Sequence, residues 1–150
     1  MTEKKWIKPF ADKFITGHYG TLSAYRKKMK MQPHSGTDWA RPEGTEIKAI
    51  ADGRVTLIAY SKVLGHVLVQ KARHKNGTLY YIGYCHLKEK PELKDNAPLT
   101  AGKTVIGLVG NTGSASTGAH LHATASQKPR GVFGVTSDKE DLFKLIKENS

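Results

Sequence analysis

Short β-forming runs separated by glycine turns constrain the fold of this chain more than any other feature of its sequence. Between residues 46 and 125, runs rich in valine, isoleucine, leucine and tyrosine recur roughly every ten residues. Two intervening dipeptides, Asp52-Gly53 and Asn76-Gly77, are typical of tight β-hairpin turns. We therefore predict a mainly β fold, built as an antiparallel β-sheet, an open sandwich or a barrel, with hairpins at both dipeptides.

The predicted strands lie at residues 14–16, 46–51, 54–60, 66–72, 78–87, 104–109 and 120–125. A C-terminal helix is expected over residues 137–148, because Ser137 followed three residues later by Glu140 forms a capping-box pattern. The apolar side chains at 142, 143, 145 and 146 give this helix one buried face. With 150 residues and no internal repeat or low-complexity linker, the sequence predicts a single domain over 1–150.

The run at 78–87 carries aromatic residues and a histidine in alternation. In a regular strand Tyr84 and His86 share one face, whereas Cys85 points to the other. Cys85 is the only cysteine, which excludes an internal disulfide and a zinc site made of thiolates alone. We expect it to be a small buried core residue.

Two histidines follow a loop of glycine and small hydroxyl residues that begins at Gly110. His120 and His122 are two residues apart, so in an extended strand their imidazoles point to the same side. Two imidazoles directed to one place indicate a metal or catalytic site, which requires partners from elsewhere in the chain.

A second histidine motif lies near residue 36. His34 and Asp38 are residue types that suit zinc, but Pro33 and Gly36 disfavour a helix between them. In a flat strand they would lie about 13 Å apart, so a bend near Ser35 and Gly36 must bring them together. The alternative is a turn that Asp38 stabilises.

His34, Asp38 and His122 together offer two imidazoles and a carboxylate. This set leaves one position of a tetrahedral zinc open for water, which is the pattern of catalytic zinc sites. Zinc lowers the pKa of its water toward about 7 and polarises a bound carbonyl, as amide hydrolysis requires. His86 and His120 are then available to move protons or to stabilise an oxyanion.

In these motifs the chain resembles the lysostaphin and LytM-type zinc endopeptidases, which cut peptide cross-links in bacterial peptidoglycan. The resemblance covers about residues 15–125 and rests on three ordered motifs: His34-x-Gly36-x-Asp38, Tyr84-Cys85-His86-Leu87 and Thr117-Gly118-Ala119-His120-Leu121-His122. It implies a LytM-type, duplicated-hybrid-motif-like fold that binds one Zn²⁺ per chain. It further implies that His34, Asp38 and His122 are the zinc ligands and that His86 and His120 are catalytic, with the choice of general base left open.

Substrate contacts are less defined by the sequence. Tyr84, by its strand parity with His86, and Tyr19 are candidates to face substrate, with core packing as the alternative for each. Residues 1–33 are expected to form a variable, basic lip of the groove. Ala123-Thr124 stand where the family often has an aromatic residue and a glutamate, so the resemblance does not define the far wall of the groove.

The remaining histidines have no partner at ligand spacing and are interpreted as surface or strand residues. They are His18, His66 and His74.

The formal net charge of +11 favours anionic partners such as acidic cell-wall polymers. The sequence lacks the helix-turn-helix, zinc-finger and aromatic-glycine patterns of nucleic-acid modules, so no specific nucleic-acid partner is expected. No apolar run approaches the roughly 18 residues of a membrane span. The N-terminal residues lack the apolar stretch of a secretory signal, so none is expected.

The leading hypothesis is a monomeric zinc-dependent endopeptidase that cuts peptide cross-links or bridges of peptidoglycan. Without a visible signal or wall-targeting domain, we expect a phage product: an endolysin released through a holin, or a virion component, acting at the cell wall or periplasm. The alternative within the same fold is an inactive scaffold that binds a cell-wall partner or activates another hydrolase. A lipoyl- or biotin-carrier module needs a lysine at a hairpin tip, which neither glycine dipeptide provides.

Overall fold

The computed structural model describes residues 5–30 and 34–149. Its strands are β1 (Ile15–Gly17), β2 (Thr37–Ala40), β3 (Glu46–Lys48), β4 (Gly53–Ser61), β5 (Gly65–Arg73), β6 (Leu79–Leu87), β7 (Pro98–Leu99), β8 (Val105–Leu108) and β9 (His120–Ser126). The α-helices are α1 (Ala24–Lys28) and α2 (Leu142–Glu148), and short 3₁₀ turns cover Asp12–Phe14, Gly131–Phe133 and Thr136–Asp138.

Seven strands form one antiparallel sheet in the order β1-β2-β9-β6-β5-β4-β7. The other two, β3 and β8, pair antiparallel in a separate two-stranded sheet. The prediction of a mainly β antiparallel fold with a short C-terminal helix is confirmed. Because β2, β9 and β6 are neighbours, the three histidine-bearing motifs meet at adjacent strands.

The main core packs the large sheet against the small sheet and α2. Each fully buried aliphatic side chain contributes roughly 1.5–3 kcal/mol of transfer free energy, so this layer dominates stability. Its largest members are Trp6, Trp39, Ile47, Ile50, Leu68, Ile82, Tyr84, Leu87, Ile106, Leu121, Leu142 and Ile146. A smaller cluster of Val67, Val69, Cys85 and Val132 covers the opposite face of β5 and β6.

One of the two predicted hairpins is present. Asn76-Gly77 joins β5 to β6, with Gly77 at φ 88° and the Asn76 side chain accepting the Thr78 N–H at 2.9 Å. The prediction at Asp52-Gly53 is wrong, because β3 pairs with β8 and not with β4. Gly53 is required there for close packing, since a Cβ would lie 1.8 Å from the Lys71 carbonyl oxygen.

The C-terminal helix begins later than the sequence predicted. Asp141 is the N-cap of α2, and its carboxylate accepts the Lys144 N–H at 3.2 Å. Ser137 lies in a 3₁₀ turn, and Glu140 forms a β-bridge with Ala125 instead of occupying the first helical turn. The capping-box prediction is therefore wrong, because the bridge from Glu140 to Ala125 of β9 holds Glu140 in an extended conformation.

A bulge in β6 reverses the side-chain alternation that the sequence predicted. Leu68 pairs with Tyr84 and His66 pairs with Leu87. Two residues of β6, Cys85 and His86, therefore lie opposite a single residue of β5. His86 has φ 60°, a left-handed conformation that is uncommon for a residue other than glycine. Tyr84 and Leu87 consequently both enter the main core, whereas His86 turns away from it, beside the strand that carries His122.

Cys85 is fully buried in the smaller cluster, as a core residue was predicted to be. Burial raises the pKa of its thiol to about 12, so the thiol stays protonated and is a poor nucleophile.

Candidate metal centre

Two neighbouring strands bring metal-type donors together. Asp38 on β2 pairs directly with His122 on β9, so both side chains project from the same face. His122 Nδ1 lies 2.7 Å from Asp38 Oδ1, and His34 Nε2 lies 3.0 Å from Asp38 Oδ2. The three residues that the sequence singled out therefore meet in space.

Gly36 makes the bend that was predicted between His34 and Asp38. A Cβ at this position would lie 2.3 Å from the Ala123 carbonyl oxygen and 3.0 Å from the His122 ring. Glycine thus allows the chain before β2 to lie directly against β9, which carries His34 to the other donors.

The donor set fits a zinc ion. One ligand atom from each of His34, Asp38 and His122 can be chosen so that all lie within 4.8 Å of one another. Ligand atoms of a tetrahedral zinc are about 3.3 Å apart, so small side-chain movements close the set. The His18 carbonyl accepts from His34 Nδ1 at 3.1 Å, and a carbonyl only accepts, so Nε2 is the His34 nitrogen that remains to bind a metal.

Electrostatics keep Asp38 and His122 in their metal-binding forms. Burial raises the pKa of Asp38, but hydrogen bonds from His122 and His34 outweigh it and hold that pKa well below its usual range. Burial lowers the pKa of His122, against the opposing effect of Asp38. The ionised carboxylate of Asp38 and the neutral imidazole of His122 are the forms that coordinate a metal.

His86 and His120 form a second pair beside the donor set. Their ring centroids are 4.9 Å apart, and the His86 ring lies 6.0 Å from that of His122. The Thr112 carbonyl accepts from His86 Nδ1 at 2.7 Å, and the Gly118 carbonyl accepts from His120 Nδ1 at 2.7 Å. In the neutral form of each ring the proton therefore lies on Nδ1, which leaves the lone pair of Nε2 for the cleft.

Burial lowers the pKa of His86 to about 4, although the bond to the Thr112 carbonyl opposes this shift. The imidazole is thus neutral at neutral pH and able to accept a proton. His120 Nε2 lies 3.8 Å from Asp38 Oδ1, beside the donor set but outside it.

A cleft of about 140 Å³ opens over the two groups of histidines. Its described lining residues are Arg26, His34, Ser35, Asp38, Leu64, His86, Ala115, His120 and His122. Arg26 belongs to α1, so part of the expected N-terminal lip does border the cleft. Residues 1–4 and 31–33 of that predicted lip lie outside the described residues.

Neither tyrosine proposed for substrate binding lines this cleft. Tyr84 is 0% exposed, and its hydroxyl contacts Gln70 and accepts the Ile50 N–H, so the prediction that it faces substrate is wrong. The physical reason is the β6 bulge, which separates its direction from that of His86. The Tyr19 hydroxyl donates to the Lys139 carbonyl at 3.0 Å, within a different depression.

Sequence reasoning missed the groups that orient the histidines. These are the backbone carbonyls of His18, Thr112 and Gly118, which leave no trace in residue type. His74, interpreted as a surface or strand residue, is instead buried against Trp6, with Nε2 3.0 Å from the Leu145 carbonyl oxygen.

The fold and the donor set define a mainly β protein with a candidate mononuclear metal site. The model of Peptidase family M23 matches residues 32–132, which is more than half of the chain, and the protein belongs to that family.

Among curated relatives, the chain is similar to the DD-carboxypeptidase/endopeptidase Mpg of Neisseria meningitidis serogroup B. They share 40% identity over 94 residues, which are 61% of this chain and 20% of the relative. The chain thus spans about a fifth of the length of that relative.

Two solved structures are similar to most of the chain. The catalytic domain of lysostaphin from Staphylococcus simulans matches with a TM-score of 0.71 and 25% identity, covering 89% of this chain and 91% of that one. A point mutant of the catalytic domain of the prophage-encoded M23 protein EnpA from Enterococcus faecalis matches with a TM-score of 0.68 and 25% identity, covering 91% and 94%. No helix among residues 5–30 and 34–149 is long and apolar enough to cross a membrane.

Proposed function

We propose that this protein is a zinc-dependent endopeptidase that hydrolyses peptide cross-links or bridges of bacterial peptidoglycan. The observation that carries the proposal is the division of one cleft into a His/Asp/His donor set and a separate pair of oriented histidines. Membership of Peptidase family M23 supports it.

His34, Asp38 and His122 would hold one Zn²⁺, which when bound supplies Lewis-acid activation of a carbonyl and of water. His18 orients one of these ligands through its carbonyl. Asp38 contributes the negative charge that balances the cation, and its low pKa keeps it ionised down to acidic pH.

Amide hydrolysis also requires that a proton leave the attacking water and that one reach the departing amine. We assign these transfers to His86 and His120, whose Nε2 atoms face the cleft. The neutral state of His86 suits the accepting role, and either ring, once protonated, can donate a hydrogen bond to the oxyanion.

For the bond, we propose a DD-type peptide cross-link. The relative named as a DD-carboxypeptidase/endopeptidase, which shares 40% identity with this chain over 94 residues, supports this assignment. We also propose that the enzyme acts as a monomer, because one chain supplies both the His/Asp/His donor set and the pair of oriented histidines. The charge of +11 would hold the enzyme near anionic wall polymers.

We further propose that the protein is a phage lysin, either an endolysin or a virion-associated enzyme acting at the cell wall or periplasm. The likeness to a prophage-encoded M23 catalytic domain supports this setting.

Digestion of purified sacculi tests the activity and the bond together. Mass spectrometry of released fragments is expected to show new DD termini, which disappear with a chelator and return with added zinc. Intact sacculi from several cross-link chemistries, after treatment with folded and zinc-loaded protein, would contradict the enzyme and support the inactive scaffold.

A further inference from the structure

Thr112 lies in the loop between β8 and β9 and connects three segments of the chain. Its carbonyl accepts from His86 Nδ1 at 2.7 Å. Its hydroxyl donates to the Leu87 carbonyl at 2.6 Å and accepts the His66 N–H at 3.2 Å. One residue therefore binds the His86 ring and the backbone immediately after it.

The loop is seated on the start of β5 by direct backbone contact. Gly65 and Gly113 have φ 71° and 88°. A Cβ on Gly65 would lie 2.1 Å from Thr112 Oγ1, and one on Gly113 would lie 2.4 Å from the Gly65 nitrogen. Only glycine at both positions allows the loop to lie this close to the start of β5, so the contact is specified by the sequence.

His86 is held from two sides by these segments. Its N–H donates to the Leu64 carbonyl at 2.8 Å, while its ring donates to the Thr112 carbonyl. The Thr112 hydroxyl ties the loop to Leu87, one residue from the bulge. Without the hydroxyl, Thr112 loses its own hydrogen bond to β6, and its carbonyl is held less firmly at His86 Nδ1.

We propose that Thr112 is a positioning residue: its hydroxyl holds its own carbonyl at His86 Nδ1 and thereby fixes the Nδ1–H tautomer. Neutral imidazole exists as two tautomers, and only the Nδ1–H form leaves the lone pair of Nε2 in the cleft. The catalytic consequence rests on the proposed function, whereas the tautomer itself does not.

The test compares Thr112→Val, which removes the hydroxyl at nearly constant shape, with Thr112→Ser, which keeps it. Thr56→Val is the matched control, because the Thr56 hydroxyl also donates to a backbone carbonyl, that of Val69, on β4 away from the cleft. All variants are studied as the full chain, both chelated and zinc-loaded, with circular dichroism to verify folding.

The first measurement is ¹⁵N NMR of histidine-labelled protein at pH 7.5, with the His86 signals assigned by their loss in His86→Gln. We expect the Nδ1–H tautomer in wild type, Thr112→Ser and Thr56→Val, and a mixed or Nε2–H population in Thr112→Val.

The second measurement is turnover on sacculi fragments. We expect kcat of Thr112→Val to fall about tenfold or more with KM and zinc content unchanged, and Thr112→Ser to stay within about threefold of wild type.

An Nδ1–H tautomer and a normal kcat in Thr112→Val would overturn the inference. So would equal losses in the valine and serine variants, or zinc loss that accompanies the loss of turnover, because these indicate a structural role. If Thr112→Val fails to fold, Thr112→Ala provides the same comparison with less crowding. A wild type without activity but with the tautomer shift in Thr112→Val would support the positioning role and reject only the proposed function.

Discussion

His86 takes its direction from a single left-handed residue conformation. In a regular β6 its side chain would point with Tyr84 into the main core. The extra residue of the bulge turns it instead toward His120 and His122. Residue types identified His86 as a candidate, but its direction depends on pairing with β5, which a strand sequence alone does not reveal.

The buried position of His86 predicts a pH dependence of stability. Burial lowers its pKa from 6.5 to about 4, so between these values the unfolded chain binds a proton that the folded chain does not. The free energy of unfolding of chelated protein should therefore rise from pH 4 to 6.5, with about 1–3 kcal/mol due to His86.

Urea unfolding of the chelated protein at a series of pH values measures this rise. His122 has a lowered pKa as well and adds a slope of the same sign, so His86→Gln should flatten the profile without abolishing it. A His86→Gln profile as steep as that of wild type would show that His86 titrates alike in both states.

At the scale of elements, β2 and β9 must lie in contact for the donors to meet, and Gly36 permits that contact. Gly36→Ala places a Cβ against the Ala123 carbonyl, so the segment before β2 must move. We expect zinc affinity to fall tenfold or more, with a loss of about 1–3 kcal/mol in the stability of the chelated protein.

Competition titration with a zinc chelator measures the affinity of this variant. Gly107→Ala is the control, since its Cβ meets only ordinary contact, at 3.4 Å from a Leu87 methyl carbon. Zinc affinity of Gly36→Ala equal to that of Gly107→Ala would mean that the approach of the two strands does not assemble the donors.

The start of α2 gives a second prediction for an element. Asp141 caps the helix through the Lys144 N–H, whereas Ser137 lies outside it. Asp141→Ala should therefore cost about 1 kcal/mol of stability, and Ser137→Ala should be close to neutral. Thermal or urea unfolding of the two variants measures these changes in stability. A larger loss of stability in Ser137→Ala than in Asp141→Ala would indicate that the helix begins at Ser137.

The elements also show what a sequence can predict. Local patterns were sufficient for most strands, the Asn76-Gly77 hairpin and the apolar face of α2, but they did not predict β2 or β7. They failed at Asp52-Gly53 and Ser137, where the partner is distant in sequence: β3 pairs with β8, and Glu140 pairs with Ala125. Turn and cap signals describe what a segment prefers locally, and long-range strand pairing overrides them.

At the scale of the molecule, the site exists because the order β2-β9-β6 joins segments that are far apart in the chain. The histidines and the aspartate were recognisable in the sequence because their residue types are common metal ligands and proton carriers. The burial of Tyr84 and the orienting carbonyls were not recognisable, since each depends on how separate segments pack.

The central claim is that His34, Asp38 and His122 hold the metal while His86 and His120 serve the reaction. Zinc content and turnover on purified sacculi, measured in parallel for His122→Ala and His86→Ala, test it most directly. We predict that His122→Ala loses both zinc and activity, whereas His86→Ala keeps its zinc and loses at least about a hundredfold in turnover. Full turnover by His86→Ala, or normal zinc content in His122→Ala, would contradict the division of roles.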